Sequence, residues 1–335
     1  MSSLNPLTTR LHRPLVWFAV SMGALALVSA VGILVDDRVL VGVPIWTKPF
    51  KFSVSFVAYA LSLAWMLSLL PRGRRVGWWA GTVVVVASVG EMVLITLQVI
   101  RGRQSHFNQA TPFDNAVFQV MGATVAVLWL GALVIAVLLL RTKILDRAMA
   151  WAVRLSSLIA LAGAAVGFLM VQPTPEQLAV DDSPVIGAHA VGVPDGGPSM
   201  GLTGWASNGG DLRIPHFFGM HALQLLPLLL LVLGALAPRF ARLADERVRL
   251  RLTLTASAAY TATFVLLTWQ ALRGQALFAP DGATLGGAAA IVLLGGAGAA
   301  LSLRRPSPSP SPSPSSPPAP ASPSPSRVPS EDVTS

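Results

Sequence analysis

Ionisable and amide side chains are scarce in this chain, and several interrupt apolar sequence where they could do chemistry. Glu91 and Gln98 are seven residues apart and share a helix face, and Arg101 continues that stripe. A carboxylate inside a membrane helix costs about 2.5–3.5 kcal/mol, so Glu91 must face a bundle interior and meet a partner. Such a group can carry a proton, ligate a metal, balance a cation, or simply clamp two helices. His106 and Asn108 follow in Ser105-His106-Phe107-Asn108. His216, His221 and Gln224 open a later apolar segment. Five-residue spacing is poor for two ligands on one helix face, which takes three or four, whereas His221 and Gln224 do share a face. Histidine is the commonest metal ligand. His106, His216 and His221 are therefore candidate ligands for a haem or a divalent metal, with hydrogen bonding between helices as the plain alternative. Glu91, His106 and His221 are candidate acid–base groups.

Two of the few lysines, Lys48 and Lys51, stand in Trp46-Thr47-Lys48-Pro49-Phe50-Lys51-Phe52. Trp and Lys commonly anchor a segment at a membrane boundary. The other reading is an ammonium pair facing an anionic solute or a lipid headgroup. A further polar group is written twice. Thr96-Leu97-Gln98-Val99-Ile100-Arg101-Gly102 and Thr268-Trp269-Gln270-Ala271-Leu272-Arg273-Gly274 both read T-x-Q-x-x-R-G. Tyr260, Thr263, Gln270 and Arg273 form the stripe matching that of Glu91. The expected ligand-binding set is thus Lys48, Lys51, Gln98, Arg101, Asn108, Gln224, Gln270 and Arg273.

Composition says what must position these groups. Hydrophobic residues make up 53% of the 335, charged residues only 12%, and mean hydropathy is +0.64. Soluble domains carry about 25% charged residues, so the chain reads as an integral membrane protein. It has no cysteine, which excludes disulfides, thiolate metal sites and cysteine nucleophiles. The net charge of +9 lies largely in short connections between apolar spans, where it reports orientation and not nucleic-acid binding.

Eight stretches are long enough to cross a bilayer, near 14–35, 52–70, 76–100, 116–140, 148–171, 214–238, 252–272 and 284–303. Alternate connections carry clustered cations: Arg72, Arg74 and Arg75; then Arg141, Lys143 and Arg147; then Arg239 to Arg251. The opposite connections hold most of the acids. The positive-inside rule puts both termini in the cytoplasm and the candidate site on the outer face of the cell membrane. Val28-Ser29-Ala30 loosely resembles a signal cleavage site, but the apolar run is long for a signal peptide. The loop 172–213 is rich in Gly and Pro and too long to be a mere connection, so it reads as a lid over an outward pocket. Its glycines lack the strand–turn–helix setting of a phosphate loop. Residues 306–335 are a Ser/Pro tract expected to be a disordered cytoplasmic tail.

Four matches recur in the same order in both halves. Ala30-Val31-Gly32-Ile33-Leu34 pairs with Ala165-Val166-Gly167-Phe168-Leu169, and Pro49-Phe50-Lys51-Phe52 with Pro215-His216-Phe217-Phe218. The T-x-Q-x-x-R-G phrases follow, then Pro112-Phe113-Asp114 and Pro280-Asp281. The expected fold is an all-α transmembrane bundle of two parallel four-helix repeats, 1–145 and 146–305, related by an axis along the membrane normal. Eight spans in a four-plus-four arrangement with both termini inside resemble the architecture of haem A synthase. That resemblance implies histidines on spans two, four, six and eight, and here spans two, four and eight have none.

Two functions follow as expectations. One is an outward-facing membrane enzyme using a metal or haem. The other is a transporter or binding protein for an anionic solute or lipid, with Lys48, Lys51, Arg101, Arg213 and Arg273 setting the charge. An accessory subunit with a polar docking face is the plain third.

Overall fold

The structure, a computed structural model, describes residues 11–201 and 203–304. The expected Ser/Pro tail, 306–335, lies outside the described residues. Among the described residues ten α-helices run in order: α1 Arg13–Val35, α2 Thr47–Ser68, α3 Arg74–Arg101, α4 Pro112–Arg141, α5 Arg147–Ala165, the short α6 Gly167–Met170 and α7 Pro175–Leu178, α8 Arg213–Leu236, α9 Glu246–Leu272 and α10 Gly282–Ser302. Among the described residues four two-residue strands form two small antiparallel pairs, β1 Val39–Leu40 with β2 Val43–Pro44, and β3 Ala190–Val191 with β4 Gly210–Asp211. Among the described residues eight helices are long and apolar enough to cross a membrane. The protein is an all-α, multi-pass membrane bundle.

Local chemistry sets the helix ends. Side chains at the N-cap accept from backbone N–H groups in the first turn at His12, Thr111, Asp146 and Asp281. Gly102 closes α3 at φ +69°, and Gly274 follows α9 at φ +68°, conformations that other residues adopt only with strain. Two helix starts differ most from expectation, and α9 begins at Glu246, six residues before its expected start. The second span begins at Thr47, five residues before the apolar run does. Lys48 and Lys51 therefore occupy the first turns of α2, on one face. Cations at a helix N-terminus oppose the helix dipole. The same holds at the starts of α1, α3, α5, α8 and α9, which carry arginines.

The first four long helices pack α1 on α2, α2 on α3, α1 on α3, and α3 on α4. The last four pack α5 on α8, α8 on α9, α5 on α9, and α9 on α10, the same pairing in the same order. The main core joins Leu15, Phe18, Met66, Met92, Ile95, Met121 and Leu139. At the crossing of α5 and α8, Gly163 and Gly219 meet backbone to backbone, and a Cβ on Gly163 would stand 2.6 Å from Gly219. Apolar residues left outside the core, such as Val86, Val93, Leu231 and Leu293, supply the lipid-facing surface.

Connections α1–α2, α3–α4, α5–α8 and α9–α10 lie at one end. Here residues 104–109 fold inward and pair with the long loop. Ile186 N–H donates to the Phe107 carbonyl (2.9 Å), Gln109 N–H to the Pro184 carbonyl (2.8 Å), and Asn108 bridges Val185. Phe107 is held at φ +63°. That conformation costs about 1–3 kcal/mol in a residue with a side chain. It is offset by full burial of the ring against Phe118 and by the hydrogen bond from Ile186.

Candidate functional site

The folded-in loop sets His106 against the bundle interior. Its Nε2 lies 3.3 Å from Glu91 Oε1, and Thr124 Oγ1 donates to the other carboxylate oxygen (3.1 Å). The His106–Glu91 approach is within ion-pair distance but not aligned as a hydrogen bond, and Glu91 Oε1 has no other partner. On the opposite side of the ring, Lys48 Nζ lies 3.0 Å and Ser105 Oγ 3.2 Å from Nδ1. Burial, and then the Lys48 ammonium, push the imidazole below its ordinary value, and Glu91 pulls the other way. A neutral His106 with its proton on Nε2 accepts from Lys48 at Nδ1 and turns its N–H toward Glu91. It then links an ammonium to a buried carboxylate. Glu91, 2% exposed, has thus found the interior partner its position demands.

Lys48 and His106 line a cavity of about 140 Å³ at the loop-rich end. That is room for a handful of waters, each taking roughly 30 Å³. Lys51, Phe52, Arg103, Phe107, His189, Asp195 and Arg213 also reach its wall. The long loop provides one side. His189 Nδ1 is bonded to Asp195 Oδ2 (2.7 Å), and Asp195 also accepts from the backbone N–H groups of His189 and Ala190. Burial lowers the His189 pKa to about 4, against the pull of Asp195 and with the help of the Arg213 and Lys48 charges. Burial works to raise the Asp195 carboxyl, but the His189 side chain and the two backbone donors outweigh it and hold it below the usual range. Phe107 packs edge-on to both histidines, with ring centroids 6.0 Å from His106 and 4.8 Å from His189.

The cavity wall carries four cations and one carboxylate, Asp195. Arg213 is paired with buried Asp211 (2.5 Å) and also donates to the Gly204 carbonyl. Lys48 reaches Glu91 only through His106. Lys51 donates to the Thr203 carbonyl (2.6 Å) and, among the described residues, neither Lys51 nor Arg103 forms an ion pair. Positive charge is thus left over in a partly enclosed space.

The remaining expected site residues lie elsewhere. Gln98 donates to Asp114 (2.9 Å) and to the Gln104 carbonyl, and Arg101 donates to Asp114 (2.6 Å) while stacking on Phe113. In the second copy Gln270 donates to the Ala276 carbonyl (2.8 Å), and Arg273 pairs with Asp281 (2.6 Å) over Trp269. Each phrase ties a helix end to the acid that opens the next helix, and none of these four side chains reaches the cavity. Asn108 shapes its own loop through the Gln104 carbonyl and the Ala110 N–H. His221 bonds Gln224 (3.0 Å), which donates to Ser62 on α2. His216 donates to the Gly163 carbonyl (2.8 Å).

The three candidate metal histidines are therefore engaged separately, His106 through both ring nitrogens. Among the described residues no three His, Cys, Asp or Glu side chains converge on a metal-holding arrangement. His106, His216 and His221 thus do not form a three-ligand metal site with one another. His189 and Asp195 were missed because a histidine in a long Gly/Pro-rich loop reads as surface. The acid six residues on and the length of the loop are the only signals. The fold and the cavity define a polytopic helical membrane protein with a cationic pocket at one end. No family model, no curated protein and no solved structure matches the chain.

Proposed function

We propose that this protein binds a small doubly charged anion, in solution or as a lipid headgroup, in a pocket on the outer face of the membrane. One observation carries the reading: two ammonium groups, Lys48 and Lys51, enter one cavity on one helix face, and neither touches a carboxylate. Placing charge in a low-dielectric setting without a counter-ion is expensive, and an anionic ligand removes that cost. Arg103 and Arg213 add to the attraction. The clustering of Arg in the other set of connections supports the outer placement. Identical helix pairing in the two halves supports their origin as parallel repeats, specialised where the pocket formed. A metal- or haem-dependent enzyme receives no support from the donor set.

The test is titration of inorganic phosphate into the detergent-solubilised protein. At about 4 Å an ion pair near a surface is worth roughly 4 kcal/mol before screening. With solvent access and partial compensation, losing one ammonium should weaken binding by about tenfold, equivalent to about 1.4 kcal/mol. Lys48→Met and Lys51→Met should each do so, and Arg74→Met, at the start of α3 at the opposite end, should not. Absence of phosphate binding, or lysine variants that bind as the parent does, would refute the proposal.

A further inference from the structure

The anion pocket also holds the parts of a hydrolytic site. We infer that it cleaves a phosphate monoester, with His189 taking a proton from water and Lys48 giving one to the leaving oxygen. This deepens the binding reading above and rests on it.

The geometry comes first. His189 gives its Nδ1 to Asp195 at 2.7 Å, and three hydrogen bonds from the loop fix that carboxylate. A histidine bonded through Nδ1 to a carboxylate is held in one tautomer with Nε2 available as a base. No hydrogen-bond partner of that Nε2 is found among the described residues, and the residue lines the cavity. Lys48 lines the same cavity, backed by His106 and, behind it, Glu91. A proton donor and a proton acceptor therefore face one space between cations that hold a dianion. Each group is positioned by a second: Asp195 positions His189, and His106 with Glu91 positions Lys48.

The step balances with water as the only co-reactant. His189 Nε2 removes one proton from water, and the hydroxide oxygen bonds to phosphorus. The bond from phosphorus to the ester oxygen breaks, and its electron pair leaves with the alkoxide. That alkoxide takes a proton from Lys48 Nζ and departs as an alcohol. The proton on His189 returns to Lys48 through solvent, and inorganic phosphate remains. Arg213 and Lys48 depress the basicity of His189 in the open pocket. A bound dianion offsets those charges, so the histidine becomes an effective base when the substrate is in place.

The experiment uses the full chain in detergent micelles with two probes, p-nitrophenyl phosphate as a soluble ester and phosphatidate in mixed micelles as a lipid ester. Phosphate release from one, the other or both tells which source the pocket accepts. His189→Gln should lower release by about 100-fold or more, with inorganic phosphate still bound and thermal unfolding unchanged. Asp195→Asn should lower kcat more than it raises KM and move the ionisation seen on the acidic side of the pH–rate profile, which a merely structural residue would leave in place. Lys48→Met should retard the lipid ester more than the nitrophenyl ester, whose leaving group needs no proton. Binding of inorganic phosphate without release from either ester, or a folded His189→Gln protein that turns over like the parent, overturns the hydrolytic step and leaves the binding reading intact. Failure to bind inorganic phosphate overturns both.

Discussion

Replacing Arg101 and Arg273 by Met, one at a time, sets two copies of one phrase against each other. Both arginines sit at the same place in T-x-Q-x-x-R-G, and both reach an acid that opens the next helix at 2.6 Å. Their surroundings differ. The Asp114 side chain is 1% exposed, whereas those of Asp281 and Arg273 are 38% and 40% exposed. Removing one partner of a buried ion pair costs about 3–5 kcal/mol. Asp114 keeps hydrogen bonds from Gln98 and Thr111, and Arg101 is itself one-third exposed, which lowers the expected loss to about 2 kcal/mol. At roughly 2–4 °C per kcal/mol, Arg101→Met should lower the Tm by roughly 4–8 °C, read by tryptophan fluorescence in detergent. Arg273→Met should produce no resolvable shift, because solvent already screens that pair. Equal shifts in the two variants, or a larger one for Arg273→Met, would refute the reasoning from burial.

Three other outcomes are expected. Gly163→Ala should force α5 and α8 apart and destabilise the fold by about 1–3 kcal/mol, while Gly122→Ala, with nothing within 4 Å, should be neutral or slightly stabilising in the same thermal assay. The segment around His189 should loosen as pH falls from about 6.5 towards 4: the folded imidazole binds its proton less readily than the unfolded one, so stability is lost on acidification. Its facing groups are Asp195, Arg213 and Lys48. Hydrogen exchange of the backbone at 186–196, corrected for intrinsic rate, should show that pH dependence, and His189→Gln should abolish it. Raising salt should weaken phosphate binding at the pocket, as measured by titration, since the cations are partly solvated.

Much of the fold was legible because membrane helices announce themselves by length and hydropathy. Each of the eight expected spans overlaps one of the eight long apolar helices among the described residues. Two starts were hidden by cations that interrupt the apolar run: that of α9 by Arg247, Arg249 and Arg251, and that of α2 by Lys48 and Lys51, which also line the pocket. Glu91 could be read as needing an interior partner, but which one could not, since His106 arrives through a loop with no periodicity to follow. The doubled phrase, read both as a ligand site and as architecture, ties helix ends together in the structure. Asp114 and Asp281, following each arginine across a short connection, carried that information. His189 gains its role only because the long loop folds back onto Phe107, and no local pattern encodes a contact across some eighty residues of chain.

The meeting of residues 104–109 with 184–188 also has a consequence for how the protein is made. Lys48, Glu91 and His106 are synthesised and inserted well before Asp195 and Arg213 emerge from the ribosome. Until then the pocket is an open, half-built wall, and Phe107 has no Ile186 N–H to hold it in its strained conformation. The long loop is thus a late-arriving closure of a site whose other wall comes from the first half of the chain. A truncated chain ending before residue 184 should insert yet lack the pocket, with Lys51 missing the Thr203 carbonyl that holds it.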